Sequence, residues 1–117
     1  MNIESAIIRY FDGVLAVPVS ADVPQTRPEA FVTIERVGGR LDNVVLDHAS
    51  IAIQSWAGSR AEASELSEKA DTAMLAFPSV LQGIVKVTRE SIYNFPDPDY
   101  SMARYQGVYE LVFYKEA

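Results

Sequence analysis

Ile51-Ala52-Ile53-Gln54-Ser55-Trp56-Ala57-Gly58-Ser59-Arg60-Ala61-Glu62-Ala63 changes its period part-way along. Up to Trp56 the side chains alternate. Ile51 and Ile53 share one face, and Ser50, Ala52 and Gln54 share the other, which is the two-residue period of a strand. After Gly58 the pattern turns helical. Ser59 followed by Glu62 is a capping box, in which the hydroxyl accepts from a first-turn N–H and the carboxylate reaches back. The spacing predicts a helix from Arg60 to about Phe77, stopped by Pro78, with an apolar stripe of Ala63, Leu66, Ala70, Ala73, Met74 and Phe77.

Working outward, Phe31-Val-Thr-Ile-Glu-Arg-Val37 is rich in β-branched residues and reads as a strand. Gly38-Gly39 is expected to break it and form a hairpin loop, with Leu41 to Asn43 leading into a second strand from about Val44 to Trp56. Beyond the helix, Gly83 to Glu90 reads as a third strand. Asn94 to Ala103 is a loop with two prolines, and Arg104 to Tyr114 is a long fourth strand with Tyr105, Tyr109, Leu111 and Phe113 on one face. At the other end, Ile3, Ala6, Ile7, Tyr10, Phe11, Val14 and Leu15 recur at three- and four-residue steps. They predict a first helix from about Ile3 to Ala16, capped by Asn2 and ended by Pro18. Pro18, Pro24 and Pro28 exclude a helix next, and any extended piece over Val19 to Val23 belongs at a sheet edge. The expected fold is α+β: a mainly antiparallel sheet of about four to five strands, two helices packed on one face, and one domain over 1–117.

The bulk numbers bound the chemistry. A chain of 117 residues with 49% hydrophobic and 22% charged residues can bury a core unaided. It has no cysteine, hence no disulfide framework or thiolate metal site. With 16 acidic and 10 basic residues its net charge is −6, which disfavours nucleic-acid phosphates and anionic membranes. The apolar runs fall well short of the ~20 residues that span a bilayer. Met1 to Glu4 lacks a basic n-region, so the expectation is a chain that stays in the cytosol where it is made.

Candidate chemistry is sparse. His48 adjoins Asp47, but neighbouring strand residues point to opposite faces and cannot relay a proton to each other. Asp97 and Asp99 offer two carboxylates in a loop, too few for a calcium site and good turn chemistry instead. Glu62, Glu65, Glu68 and Asp71 form an acidic helix face, either solvated or docked on a basic patch of a partner. Trp56, Tyr100, Tyr105, Tyr109 and Tyr114 divide between core and interface. No catalytic residue, metal or cofactor is expected. The strands are long for so small a chain, and long edges must be covered or paired, which points to self-assembly.

Several motifs resemble a known family. Arg27-Pro-Glu-Ala-Phe-Val-Thr-Ile-Glu-Arg-Val-Gly-Gly39 is similar to a stretch near the start of phage tail terminator (tail completion) proteins. Trp56-Ala-Gly-Ser-Arg-Ala-Glu-Ala63 resembles the strand end and helix start that follow in that family. Phe95-Pro-Asp-Pro-Asp-Tyr100 and Arg104-Tyr-Gln-Gly-Val-Tyr-Glu-Leu111 resemble its loop and last strand. The resemblance implies a non-enzymatic virion protein of a tailed phage or prophage, assembled in the host bacterial cytoplasm. It implies a homo-oligomeric, commonly hexameric ring that caps the tail tube protein, stops its polymerisation and meets the head–tail connector protein. Arg27, Pro28, Gly38, Gly39, Trp56, Asp97, Asp99, Tyr100 and Arg104 are the candidate interface or loop residues. The competing readings are another head–tail connector (head completion) protein, a bacterial interaction module, or a small ligand-binding or enzymatic domain with a site at His48 or at Asp97 and Asp99.

Overall fold

The structure, a computed structural model, describes residues 1–41 and 44–116. Its elements in chain order are α1 (Ile3–Val14), β1 (Val19–Ser20), β2 (Phe31–Leu41), β3 (Leu46–Ala57), α2 (Arg60–Val80), β4 (Ile84–Asn94) and β5 (Ala103–Tyr114). The strands form one five-stranded sheet in the order β1-β2-β3-β5-β4. Only the short β1–β2 pair is parallel, and β2–β3, β3–β5 and β5–β4 are antiparallel. The fold is α+β, as the alternation of periods predicts. After α2 the chain returns as the outer strand β4, and β5 then fills the place between β4 and β3.

Both helices cover the same face of the sheet. Ile3, Ile7 and Phe11 of α1 and Leu66, Ala70, Met74 and Phe77 of α2 meet Val32, Ile34, Ala49, Ile51, Ile53, Tyr109, Leu111 and Phe113 in one buried cluster. The helices begin where their caps predict. Asn2 Oδ1 accepts from Ser5 N–H at 3.1 Å, and Ser59 Oγ accepts from Glu62 N–H at 3.2 Å. Between the helices, Tyr10 stacks on Phe77 at 5.0 Å and donates its hydroxyl to the Ala73 carbonyl at 2.9 Å.

Several boundaries differ from the expectation. Gly38 and Gly39 are not a hairpin loop. They lie inside β2, paired with Ser50 and Ala49 beside a bulge between Arg36 and Gly38. Gly39 has φ 137°, and a Cβ there would lie 2.2 Å from the His48 carbonyl oxygen, so this bulge needs glycine as a turn would. The expected lead-in to the second strand lies partly at residues 42 and 43, outside the described residues, and β3 starts at Leu46 rather than Val44. Pro78 does not stop α2, which runs to Val80, and Leu81 N–H still bonds to the Phe77 carbonyl at 3.0 Å. A proline forfeits its own N–H and crowds the carbonyl four residues back, but the fully buried Phe77 holds the last turn against the core. β4 runs on to Asn94 instead of ending at Glu90, and α1 ends at Val14, two residues early.

One polar link crosses the core. Tyr109, 1% exposed, donates its hydroxyl to Asp71 Oδ1 at 2.9 Å, and Arg89 donates to Asp71 Oδ2 at 2.8 Å, joining β5, α2 and β4. The ring of Tyr109 lies over Gly107, where a Cβ would come within 2.8 Å of it. Burial, reinforced by the hydrogen bond to Asp71, pushes the Tyr109 phenol above its usual range. Tyr109→Phe is expected to lower stability by about 1–3 kcal/mol in urea denaturation at neutral pH, because Asp71 loses a partner. A raised folded value places the proton's stabilising effect below the unfolded value of about 10 and removes it as pH rises further. The melting temperature of the native chain should therefore fall more steeply above about pH 10 than that of Tyr109→Phe.

Candidate functional site

Strand register builds two rows across the sheet face turned away from the helices. In the first, Phe31 pairs with Trp56 and Trp56 with Arg104. Two residues further along, Thr33 pairs with Gln54, Gln54 with Gln106, and Gln106 with Tyr93. Same-face neighbours on adjacent strands touch, so each row becomes a side-chain ladder. Trp56 Nε1 donates to Thr33 Oγ1 at 3.4 Å, and Thr33 donates to Gln54 Oε1 at 3.3 Å. Gln54 Nε2 donates to Gln106 Oε1 at 2.8 Å, and Gln106 Nε2 donates to the Tyr93 hydroxyl.

Trp56 is 1% exposed although no helix covers it. Phe31 stacks on it at 5.3 Å and 12°. The rest of its cover comes from Arg27, in the stretch before β2, and from Arg104 at the start of β5. The Arg27 guanidinium lies 4.9 Å from the Trp56 ring and 3.4 Å from the Tyr100 ring. The Arg104 guanidinium lies 4.7 Å from Trp56 and 4.2 Å from Phe95. Arginine suits this position because its plane stacks on rings while its edge donates hydrogen bonds. Arg104 Nε donates to the Phe95 carbonyl at 2.6 Å, which ties down the loop after β4. Asp97 Oδ1 accepts from Asp99 N–H at 2.9 Å and shapes that loop's turn. Burial lowers the affinity of Arg104 for its proton, the carboxylate of Asp97 opposes this, and the neighbouring Arg27 adds to it. The Arg104 guanidinium remains charged all the same. Among the described residues Arg27 Nη1 is buried and has no hydrogen-bond partner.

Thus Arg27, Trp56, Tyr100 and Arg104 come together at one end of the sheet, with Asp97 and Asp99 in the adjoining loop. Pro28 lies beside them and lines a recess of about 440 Å³ with Glu29, Gly58, Glu62 and Met102. Gly38 and Gly39 are elsewhere, near the far end of β2. His48 also lies far off. It pairs with Val112, eight residues along β5 from Arg104, or about 26 Å at strand rise. Asp47 and His48 point to opposite faces: Asp47 faces Arg36 at 3.5 Å, and His48 Nδ1 lies 3.8 Å from Glu110. His48 therefore does not converge with Asp97 and Asp99. No group of three or more potential metal ligands occurs among the described residues. The arrangement offers stacked cations and aromatic surface rather than a nucleophile with its base.

The sequence reading missed Phe31, Phe95 and the Thr33–Gln54–Gln106–Tyr93 ladder. Its signal was present only in pairing register, which alternation within single strands does not contain.

No protein-family model matches the chain, and comparison with curated proteins finds no match. Among solved structures it is similar to a chain of the structure described as "Virion of native gene transfer agent (GTA) particle". The TM-score is 0.74 at 13% identity, covering 96% of this chain and 94% of that one. At that identity the likeness shows the fold.

Arg104→Ala removes the bond to the Phe95 carbonyl and one cover of Trp56. It is expected to cost about 1–3 kcal/mol, to shift Trp56 emission to the red and to speed proteolysis within residues 95–102. Unchanged emission and cleavage would show that the loop is held without Arg104.

Proposed function

We propose that this chain is a structural protein of a phage-like virion and works without catalysis. In this reading the chain, as one domain over 1–117, assembles with copies of itself into a ring, taken as a hexamer. The ring sits on the tail tube protein, stops its polymerisation and offers its other face to the head–tail connector protein. It forms in the bacterial cytoplasm and remains in the tail of the virion. One observation carries the reading: nearly the whole chain follows nearly the whole of a chain in a virion particle, at TM-score 0.74 with 96% and 94% coverage. A match that spans both chains compares complete folds rather than a shared motif.

The sheet edges supply a physical reason for assembly. β4 forms one edge along eleven residues. At the other edge β1 pairs only with Val32 and Thr33 of β2, and the Glu4 carboxylate accepts from Arg36 N–H at 2.7 Å. Bulges in β2 and β4 and charges at Lys86, Arg89 and Glu90 blunt both edges against indiscriminate pairing. Leu41, Val44, Val45 and Tyr114 expose apolar surface at the end of the sheet remote from Trp56, 61%, 85%, 51% and 47% exposed. Apolar side chains gathered at one extremity are characteristic of contact surfaces. Among the described residues no helix is long and apolar enough to cross a membrane.

The test is solution mass by light scattering together with negative-stain imaging, with and without purified tail tubes. Closed rings, free or seated on tube ends, are the expected result. A chain that stays monomeric and leaves tube length unchanged would defeat the ring reading.

A further inference from the structure

The Arg27–Trp56–Tyr100–Arg104 cluster contains more positive charge than its surroundings balance. Two guanidinia share the Trp56 ring, at 4.9 and 4.7 Å from its centroid. They lie close enough for Arg27 to depress the proton affinity of Arg104. The carboxylate whose field opposes this is Asp97, whose Oδ1 is occupied by Asp99 N–H, and among the described residues Asp97 forms no ion pair with either arginine. Among the described residues Arg27 Nη1 is buried without a hydrogen-bond partner, and none of its other side-chain donors is bonded. Desolvating a cation and leaving its donors unpaired is costly, and such groups are stabilised by an acceptor. The planar fork of arginine matches a carboxylate with two parallel bonds. Stacking between Tyr100 and Trp56 already restricts the Arg27 side chain, so little further entropy is lost when an acceptor docks.

We infer that Arg27, with Arg104 behind it, is a receptor for carboxylates of a second copy of this chain, contributed by Glu65 and Glu68 of α2. Three observations select that occupant. Glu65 and Glu68 are exposed and one turn apart on α2; the Glu68 backbone carbonyl accepts from the Thr72 hydroxyl at 3.1 Å, but among the described residues neither carboxylate has an ion pair or hydrogen bond. The other acids of that face are engaged, Asp71 by Tyr109 and Arg89 and Glu62 by Ser59. With a net charge of −6, copies repel each other in general, so a contact between them is favoured where one presents cations to the other's acids. Donor and acceptor patches are different surfaces of the same chain. The ring reading uses them head-to-tail, the type of contact that closes into a ring when the rotation permits, whereas a reciprocal two-fold contact of the same residues would give pairs. The inference deepens the ring reading and depends on self-association, but not on tail tubes.

The experiment is a charge exchange followed by sedimentation velocity over a concentration series. R27E places like charge against Glu65 and Glu68, and the double variant E65R/E68R places like charge against Arg27. Each alone is expected to weaken self-association by about tenfold or more, the scale of a close charge pair lost across an interface. A 1:1 mixture of the two restores opposite charge at every contact and should recover association to nearly the native level. Near-UV circular dichroism and urea midpoints check that both variants fold. If R27E does not fold, R27Q and E65Q/E68Q serve, each weakening association without the mixture recovering it. Variants that associate like the native chain overturn the inference, as does a folded charge-exchange mixture that stays apart or a native chain that is monomeric throughout. Native rings that persist in R27E overturn it while leaving the ring reading intact. Arg27-dependent pairs or open chains support it and count against the ring.

Discussion

The indole of Trp56 has to be buried on the side of the sheet that has no helix. β3 is apolar on both faces: Ala49, Ile51 and Ile53 belong to the helix-covered core, while Ala52 and Trp56 face the other way and are equally buried. The helices are committed to one face by their own apolar stripes. The opposite face is therefore closed by neighbouring strand residues together with chain outside the sheet. Phe31 from the adjacent strand, Arg27 from the stretch before β2 and Tyr100 and Phe95 after β4 supply that cover. Irregular chain brings unpaired backbone groups with it, and a purely apolar lid would strand them. Arginine solves both problems, covering ring surface with its plane while its edge satisfies a carbonyl, as Arg104 does for Phe95. Around that indole the two longest connections meet, and the interface candidates gather there for the same reason.

The regular elements were legible in the sequence because each carries its own periodicity and its own punctuation. Both helix starts, at Asn2 and Ser59, needed nothing beyond local chemistry. The errors lie where one residue type serves two purposes. A Gly-Gly pair reads as a turn, yet the same positive φ serves a bulge inside a continuing strand, and only pairing with Ser50 and Ala49 decides between them. Ser91 to Asn94 lacks apolar alternation and became strand because β5 pairs with it as far as Tyr105. That concealed Tyr93 and the end of the glutamine ladder. The site was legible as residues but not as a place. Arg27, Trp56, Tyr100 and Arg104 were singled out separately, and their meeting depends on the Trp56–Arg104 register and on how two loops fold back. Gly38 and Gly39, singled out with them, answer to bulge geometry at the other end of the sheet.

A fold kept at 13% identity is understandable from the same constraints. What the sheet demands is parity, an apolar residue at every second position, and what the helices demand is a stripe. Both are satisfied by many side chains of similar volume. Few positions are tied to one residue type. Gly39 and Gly107 are among them, since a Cβ at either would meet neighbouring atoms closer than real contacts allow. Divergence is therefore free to act on the surfaces, and it is there that function has to be sought on a fold with so little internal chemistry.

For the assembly proposed above, charge is the main obstacle. Chains of net charge −6 repel one another over about a Debye length, so a contact between copies needs local cations that outweigh the general field. A flexible surface lysine could supply the charge but would lose its rotamer freedom on docking. A guanidinium already held between Tyr100 and Trp56 has lost most of that freedom during folding. The free energy of ordering it is met by the core that buries Trp56, and the contact receives the positive charge preorganised. In the proposed contact, the same two arginines that close the helix-free face are the ones that meet the partner.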